Sequence, residues 1–451
     1  MKPARIVIVG GGFAGVECAR RLERKLRPEE AEIHLVGPSD GQLYLPLLPQ
    51  VASGVLTSVA VVVSLRRVLH RTEIVPGLAV GADPKRNHIV VRQPSGTHCG
   101  LEYDQLVLTP GSITRIIDVP GLPQHGFGMK TLAEAAYLRD HVLRQLDLAA
   151  VSDDPAEQRE RLTFVTVGAG YAGTETTAML ARLTKAAARE YYPRVDPAAV
   201  KWYLVTHSGR IMPELGDRLA ARAKQMLARR DIDLVAGASA AEVTERSVTL
   251  TTGQVIPTRT VLWTAGVTAS PLADHLGATT IKGRIVTDAD LTVPGLEDVW
   301  ACGDAAAVPN LTAPGEFCAP TAQHASRQGR HAADNIVATL RGNPRAPYRH
   351  KDLGMVVDLG GFDALARPLG VGLRGAPAQF VTRGYHLMAL RTFAARARTG
   401  FNWLLHSLAG DDFIRIGLAD DAPHTIGDFE DTGDYLTPEQ VTAILDECHP
   451  G

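Results

Sequence analysis

Two short glycine-rich segments of one type, starting at Gly10 and Gly168 and so 158 positions apart, each follow a β-branched run. The first reads Arg5-Ile6-Val7-Ile8-Val9-Gly10-Gly11-Gly12-Phe13-Ala14-Gly15, the second Thr163-Phe164-Val165-Thr166-Val167-Gly168-Ala169-Gly170-Tyr171-Ala172-Gly173. A lone G-x-G-x-x-G is weak evidence. Here both copies leave a strand-like run and enter a helix-like one, the context in which the motif binds a dinucleotide. Gly10 and Gly168 permit the tight turn, and Gly12 and Gly170 let the backbone approach a pyrophosphate. Gly15 and Gly173 let the helix sit on the strand with its N-terminus facing the anion. Two such loops imply two dinucleotides, usually one flavin held permanently and one nicotinamide that exchanges. The alternative is a pair of glycine turns in unrelated α/β units.

A chain of 451 residues is long for one domain, and two to three are expected. The formal net charge of −2, with 21% charged residues and no long basic run, argues against a nucleic-acid partner. A strand begins by Arg5, so no secretory signal is expected. The best apolar stretch, Val51 to Leu65, is broken by Ser53, Gly54, Thr57 and Ser58, which argues against a membrane-spanning helix. Cytoplasm is the expected compartment. The cysteines are Cys18, Cys99, Cys302, Cys318 and Cys448, none of them two to five residues apart. That spacing removes adjacent redox pairs and zinc-type sites, and no metal is expected. Cys302 reads as a small buried residue rather than a redox centre.

The pattern along the chain is α/β throughout. Ile33 to Val36 is a second strand, and Leu106-Val107-Leu108-Thr109-Pro110-Gly111-Ser112 a buried strand ending in a turn. Leu132 to Leu148 has helical periodicity, and the polar stretch Ser152 to Arg161 links it to the second glycine loop. The second unit then repeats the first: a strand at Trp202 to Val205, a helix near Arg218 to Arg229, and Val261-Leu262-Trp263-Thr264-Ala265-Gly266 as counterpart of the segment around Leu106. This is a degenerate internal duplication. Val299-Trp300-Ala301-Cys302-Gly303-Asp304 follows, a strand ending in glycine and a carboxylate, and then a helix-like run from Thr321 to Leu340. Ligands bind at strand ends of open α/β sheets, so Asp304 is placed to accept hydrogen bonds from ribityl hydroxyls; a helix N-cap is the plainer reading. The expected division is 1–125 and 290–345 for the first dinucleotide unit, 126–289 for the second, and 346–451 for a C-terminal region.

As a set, these motifs resemble the two-dinucleotide, glutathione-reductase-like flavoproteins, and within them the type II NADH dehydrogenases, which are single-chain NADH:quinone oxidoreductases. The chain is similar above all to actinobacterial-type NAD(P)/FAD-dependent oxidoreductases. The matching segments run in family order: Val9 to Gly15, Gln42 to Gly54, Leu106 to Gly111, Val167 to Glu175, Leu262 to Gly266, Ala301 to Ala305 and Pro320 to Gly329. The resemblance implies FAD in the first unit, against Gly10, Gly12, Phe13, Ala14, Gly15, Gln50, Thr109, Pro110, Gly111, Gly303, Asp304, Ala322 and Gln323. It implies NAD(P)H in the second, against Gly168, Gly170, Tyr171, Ala172, Gly173, Glu175, Thr206, His207, Arg210, Ala265 and Gly266. It also sets Asp304 on the ribityl chain and Gln323 beside the flavin ring near a quinone entrance. Glu175 falls near the nicotinamide, and Tyr171 where it covers the flavin's nicotinamide side. An ordinary first-turn glutamate and a packing tyrosine are the plainer alternatives.

Three departures stand out. The acid that ends the second strand of the FAD unit is replaced by Gly37, with Asp40 as candidate substitute. The second strand of the NAD unit ends in Thr206-His207-Ser208-Gly209-Arg210, again without its acid. The family's D-K-G segment is Asp352-Leu353-Gly354, without the lysine. The missing acid in the second unit predicts acceptance of NADPH, with Arg210 as phosphate partner.

The expected chemistry is hydride transfer from nicotinamide to flavin, then reoxidation by a quinone or other small acceptor, with no nucleophile and no redox disulfide. A helix N-terminus at Thr321 faces the flavin carbonyls in this reading. His324 reads as structural, with proton donation to a quinone as its alternative. The rival enzyme is a ferredoxin or electron-carrier reductase, which calls for a clustered basic docking surface; a non-catalytic nucleotide sensor is a third reading. In the C-terminal region Leu390, Phe393, Ala397, Phe401 and Leu404 form one helical stripe flanked by Arg391, Arg396 and Arg398. That stripe fits a peripheral helix on the inner face of a membrane, or a core or homodimer contact. The last 41 residues carry 11 acids and one arginine, so they are no lipid anchor. Thr437-Pro438-Glu439 opens a short helix to Glu447.

Overall fold

The computed structural model describes residues 2–350, 354–419, 424–429 and 435–448. Near-continuous Ile, Val and Leu runs suit strands buried on both faces, and Ile6, Val7 and Ile8 are fully buried. They lie in a five-stranded parallel sheet ordered Val299–Ala301, Gln105–Leu108, Ala4–Val9, Ala31–Gly37, Glu73–Pro76. A second parallel sheet is ordered Gly126–Phe127, Thr260–Trp263, Thr163–Val167, Lys201–Thr206, Ile232–Ala236. The fingerprint strand is central in both.

The duplication extends further than its sequence signal. Each unit carries a three-stranded antiparallel sheet just before the fourth parallel strand counted from its fingerprint strand: Leu78–Asp83 with His88–Arg92 and His98–Glu102, and Ala240–Val243 with Ser247–Leu250 and Val255–Pro257. The segments that follow each fourth strand, Ser112–Thr114 and Val267–Ala269, pair with each other antiparallel and join the two units.

Helix α1 (Phe13–Lys25) leaves the first glycine loop. Helix α2 (Leu132–Val151) starts at a full capping box, Thr131 with Glu134, and α3 (Tyr171–Tyr191) leaves the second loop. Helix α4 (Ala322–Leu340) is N-capped by Thr321, whose hydroxyl accepts from the His324 N–H. It lies so close along α1 that a Cβ at Gly329 would sit 2.1 Å from the Ala14 carbonyl oxygen. Arg21 fixes the pairing with a two-pronged bond to Asp334, at 2.8 and 3.0 Å.

The expected single stripe from Leu390 to Leu404 is two helices, α5 (Gly375–Ala389) and α6 (Phe393–Ala409). Thr392 caps the second by accepting from the Ala395 N–H at 3.2 Å, which stops one helix and starts the other. Leu390 falls in the break and is buried, whereas Phe393 is 86% exposed and Phe401, Leu404 and Leu408 also face out. The core reading therefore holds for Leu390 and fails for the rest. Beyond α6 the chain crosses α2, where Asp140 accepts from the backbone N–H groups of Ile416, Gly417 and Ala419. It ends in α7 (Pro438–Cys448), opened as expected by Thr437, which exchanges bonds with Gln440. Val441 and Leu445 pack there on Val80 and Val90 of the first inserted sheet.

Candidate active site

The two glycine turns share one geometry. Gly10 has φ +104° and Gly168 φ +116°, conformations that favour glycine. A Cβ at Gly10 would lie 2.1 Å from the Thr109 carbonyl oxygen, and one at Gly168 2.5 Å from the Thr264 carbonyl carbon. A Cβ at Gly15 or Gly173 would come within 2.0 Å of the carbonyl oxygen of Gly10 or Gly168. The middle glycines differ: nothing lies within 4 Å of a Cβ at Gly12 or Gly170. Two glycines per loop thus serve backbone packing, and the third leaves open space at a helix N-terminus. Thr109 and Thr264 complete each turn, their hydroxyls donating to the carbonyls of Val9 (2.7 Å) at the strand end and Gly168 (2.9 Å) in the turn. The Thr109 side chain is therefore spent inside the turn. Gly111 and Gly266, two residues after Thr109 and Thr264 and both at positive φ, border open space.

A cavity of about 670 Å³ opens beside the first turn, lined among others by Gly10, Gly37, Pro38, Gly77, Pro110 and, from the C-terminal region, Tyr435. Its size and its glycine-lined mouth suit the nucleotide half of FAD. Asp40 does not substitute for the missing acid: it faces Arg66 at 3.5 Å on the surface and does not line the cavity. Asp304, half-buried after the strand Val299–Ala301, accepts from Ser112 Oγ at 2.8 Å, and Ser112 Oγ accepts from Lys130 Nζ at 2.8 Å. The preceding Gly303 N–H donates to Gln328 on α4. Cys302 is buried beside them with its thiol pushed up to about 12 by burial, as its plain reading expected.

In α4's first turn, Gln323 Nε2 donates to the Gly354 carbonyl at 2.8 Å, while its Oε1 is buried with no partner among the described residues. Tyr171 donates to the Met355 sulfur. Glu175 Oε1 accepts from the Asp358 N–H at 2.7 Å. Asp358 Oδ2 accepts in turn from Gln50 at 3.0 Å and Gln379 at 2.9 Å, and Trp403 Nε1 donates to Gln50 Oε1 at 2.6 Å. One chain of hydrogen bonds thus gathers Glu175 and Gln50 with three residues that sequence reasoning missed, Asp358, Gln379 and Trp403. Burial raises the Glu175 carboxyl well above the usual carboxylate range, and the Asp358 carboxylate adds to the shift. Burial likewise raises Asp358, against the Gln379 hydrogen bond. Of the variant D-K-G segment, Asp352 and Leu353 lie outside the described residues.

On the α4 side a cleft of about 610 Å³ has Phe13, Tyr44, Gln323 and Tyr385 on its walls. Arginines dominate the remainder: Arg20, Arg21 and Arg24 from α1, Arg327 and Arg330 from α4, Arg391 from the break between α5 and α6, and Arg396 from α6. Tyr44 Oη lies 3.0 Å from His386 Nδ1. Burial keeps the Tyr44 hydroxyl protonated and pushes His386 down to about 4, so both are neutral near pH 7. His324 is elsewhere: it stacks on His350 at 3.7 Å between centroids and does not line the cleft. Its structural reading is the one the geometry favours.

The second unit's strand end divides its residues. Thr206 is buried, with its hydroxyl donating to the Arg210 carbonyl at 3.2 Å, whereas His207 and Arg210 are exposed. Thr206 thus shapes the turn, and the other two side chains face solvent.

This pair of units matches a family model, pyridine nucleotide-disulphide oxidoreductase, over residues 4–329. The chain belongs to that family. Among its curated relatives is the type II NADH:quinone oxidoreductase Ndh of Mycobacterium tuberculosis, 28% identical over 420 residues, 90% of this chain and 88% of the relative. Another is the demethylphylloquinone reductase NdbB of Synechocystis, 29% identical over 416 residues, covering 90% and 96%. Among solved structures, NDH2 from Plasmodium falciparum in complex with NADH superposes with a TM-score of 0.84 over 92% of this chain and 100% of that one, at 15% identity. That likeness extends the fold match of the family to the C-terminal region.

Glu175 supplies a test of this site. Its folded-state carboxyl titrates above the ordinary 4.5, so the folded protein keeps a proton that the unfolded chain releases. Stability then falls as pH rises from about 4.5 into the raised range. Glu175→Gln retains an acceptor for the Asp358 N–H and has no charge to bury. Its Tm should exceed that of wild type by a margin that widens from pH 5 to pH 8, reaching about 2 °C or more in thermal scans. A margin that stays constant over that range contradicts the assignment.

Proposed function

We propose that this chain is a FAD-dependent NAD(P)H:quinone oxidoreductase. The observation that carries the reading is the pair of open middle glycines, Gly12 and Gly170, each at the N-terminus of a helix in one of two joined α/β units. In this reading the first unit (1–125 and 290–345) holds FAD and the second (126–289) takes NAD(P)H. Bound FAD would supply the redox chemistry, hydride uptake from a nicotinamide and electron delivery to an acceptor. The protein's own work is to bind and orient. Asp304, oriented by Ser112 and Lys130, holds ribityl hydroxyls, and the N–H groups of Gly12 to Gly15 and Gly170 to Gly173 face the two pyrophosphates. The first turn of α4, with Ala322 and Gln323, meets the flavin ring. Glu175 and Tyr171 close the nicotinamide side, where the raised Glu175 carboxyl avoids placing a full negative charge. The cleft of Tyr44 and Gln323 admits the acceptor, and the Tyr44 hydroxyl, 3.0 Å from His386 Nδ1, offers it a hydrogen bond while staying protonated.

Exposed His207 and Arg210, with no acid at the strand end, suit a 2′-phosphate as well as a 2′-hydroxyl. In anaerobic stopped flow, NADH and NADPH should each bleach the flavin, and a soluble quinone should restore the absorbance. Their kcat/KM values should lie within about tenfold, the range of one ordinary contact. Tyr44→Phe should slow the quinone phase alone. A hundredfold preference for NADH contradicts the coenzyme reading, and a reduced flavin that no quinone reoxidises contradicts the function.

The apolar row of α5 and α6, including Phe380 (83% exposed), Phe393 and Leu408, lies beside exposed Arg396 and Arg398. No described helix is long and apolar enough to span a bilayer. The row suits the plane of a membrane surface, where apolar side chains insert and arginines meet anionic headgroups. Co-sedimentation with anionic vesicles should weaken at least about tenfold in Phe393→Ser/Leu408→Ser, since each inserted side chain contributes roughly 1.5–3 kcal/mol. Equal binding by wild type and variant contradicts the placement.

A further inference from the structure

The cleft in front of Gln323 holds far more positive charge than a neutral acceptor requires. Among the described residues its walls carry seven arginines and a single carboxylate, Glu17. On α1, Phe13, Glu17, Arg20 and Arg24 follow helical spacing along one face, a run of about 16 Å from the inner end of the cleft to its mouth at 1.5 Å per residue. On α4, Gln323, Arg327 and Arg330 form a parallel row. Two arginine ladders therefore climb away from Gln323.

Partners are shared unevenly along these walls: Arg327 Nη1 lies 3.3 Å from His350 Nδ1, and Arg391 donates to Gln42 Oε1 at 2.9 Å. Glu17 is buried and shared, pairing with Arg20 at 3.4 Å and also with Arg330 and Arg391. Arg21 is engaged by Asp334. The exposed pair at the mouth meets only backbone carbonyls among the described contacts: Arg24 bonds Arg20 O at 3.3 Å, and Arg396 bonds Leu390 O at 2.7 Å and Met388 O at 3.3 Å. Deeper in, Arg391 remains cationic near pH 7, although burial pushes it down to about 10. A concave wall of guanidinium forks raises the local concentration of anions and binds oxyanions with two-point geometry. At about 610 Å³ the cleft has the size of a small-molecule site.

We propose that the molecule which brings its reducible ring to Gln323 carries a sulfonate, phosphate or carboxylate, held by the guanidinium groups of the ladders with Arg24 and Arg396 at the mouth. The proposal rests on the acceptor reading of the cleft given above. An anionic lipid headgroup offers the same chemistry from another source. The acidic acceptor is favoured because the arginines continue inward to half-buried Arg391 instead of stopping at the rim.

The test compares 1,4-naphthoquinone with its 2-sulfonate as acceptors for the FAD-loaded enzyme and for Arg24→Gln/Arg396→Gln, without lipid. The ratio of KM for sulfonate to KM for the neutral quinone should rise about tenfold or more in the variant. It should also rise with salt in wild type, and Arg24→Lys/Arg396→Lys should restore most of the discrimination. Calorimetric titration with naphthalene-2-sulfonate reads binding without turnover, so the cleft still answers if no quinone is reduced. An unchanged KM ratio together with an unchanged sulfonate affinity overturns the proposal. An unchanged ratio together with weakened binding to phosphatidylglycerol vesicles, but not to phosphatidylcholine ones, assigns the anion to lipid and overturns the acidic acceptor.

Discussion

A helix can aim its free N–H groups at a phosphate only if its first turn rests directly on the strand it leaves. In this protein that contact is set by absent atoms. A Cβ at Gly15 or Gly173 would stand 2.0 Å from a carbonyl oxygen of its own loop, so any other residue there lifts the helix away. Gly10 and Gly168 make the turn, and Thr109 and Thr264 tie its carbonyls to the fourth strand. Because α4 lies on α1 with Gly329 against the Ala14 carbonyl, the same constraint reaches Asp304 and Gln323. The first loop, the strand-end carboxylate and the cleft wall are thus one packed unit.

A second constraint ties the C-terminal region to that unit. Asp358 receives Gln50 from the first unit and Gln379 from α5, and gives its N–H to Glu175 of the second. A buried carboxyl is tolerable only with such partners. Burial raises the carboxyl that gathers the three regions, and it raises the adjoining Glu175 well above the usual carboxylate range. This location is where perturbed acids accompany function. The position of Glu175 and the placement of the C-terminal helices are therefore tied through one hydrogen-bonded cluster.

The sequence was legible wherever the physics is local. Turn glycines, β-branched runs and caps such as Thr131, Thr321 and Thr437 lie within a few residues of what they do, and the two-unit architecture was readable from them. The break at Thr392 carried a cap signal too, but apolar periodicity runs straight through it, which concealed the division into α5 and α6. Long-range pairings left no such trace. Nothing near Asp358 or Trp403 announces Gln50, 308 and 353 positions away, and Tyr435 reaches the first unit's cavity from the far end of the chain. The arginines show the same limit. Arg20 and Arg24 share a helix face by spacing, as do Arg327 and Arg330. Their joint effect appears only once α1 and α4 lie side by side with Arg391 between them.

The central claim is a division of labour between the two turns, and Gly12 and Gly170 allow it to be tested without disturbing the fold. Both have ordinary backbone angles, φ −81° and φ −72°, and open space where a side chain would go. The measurement is bound FAD per purified chain, together with flavin bleaching by NADH, in Gly12→Val and Gly170→Val. The account predicts that Gly12→Val loses its FAD, while Gly170→Val stays fully yellow and is bleached at least about a hundredfold more slowly, a loss of roughly 2.7 kcal/mol. Full FAD content in Gly12→Val, or bleaching of Gly170→Val at the wild-type rate, would contradict it.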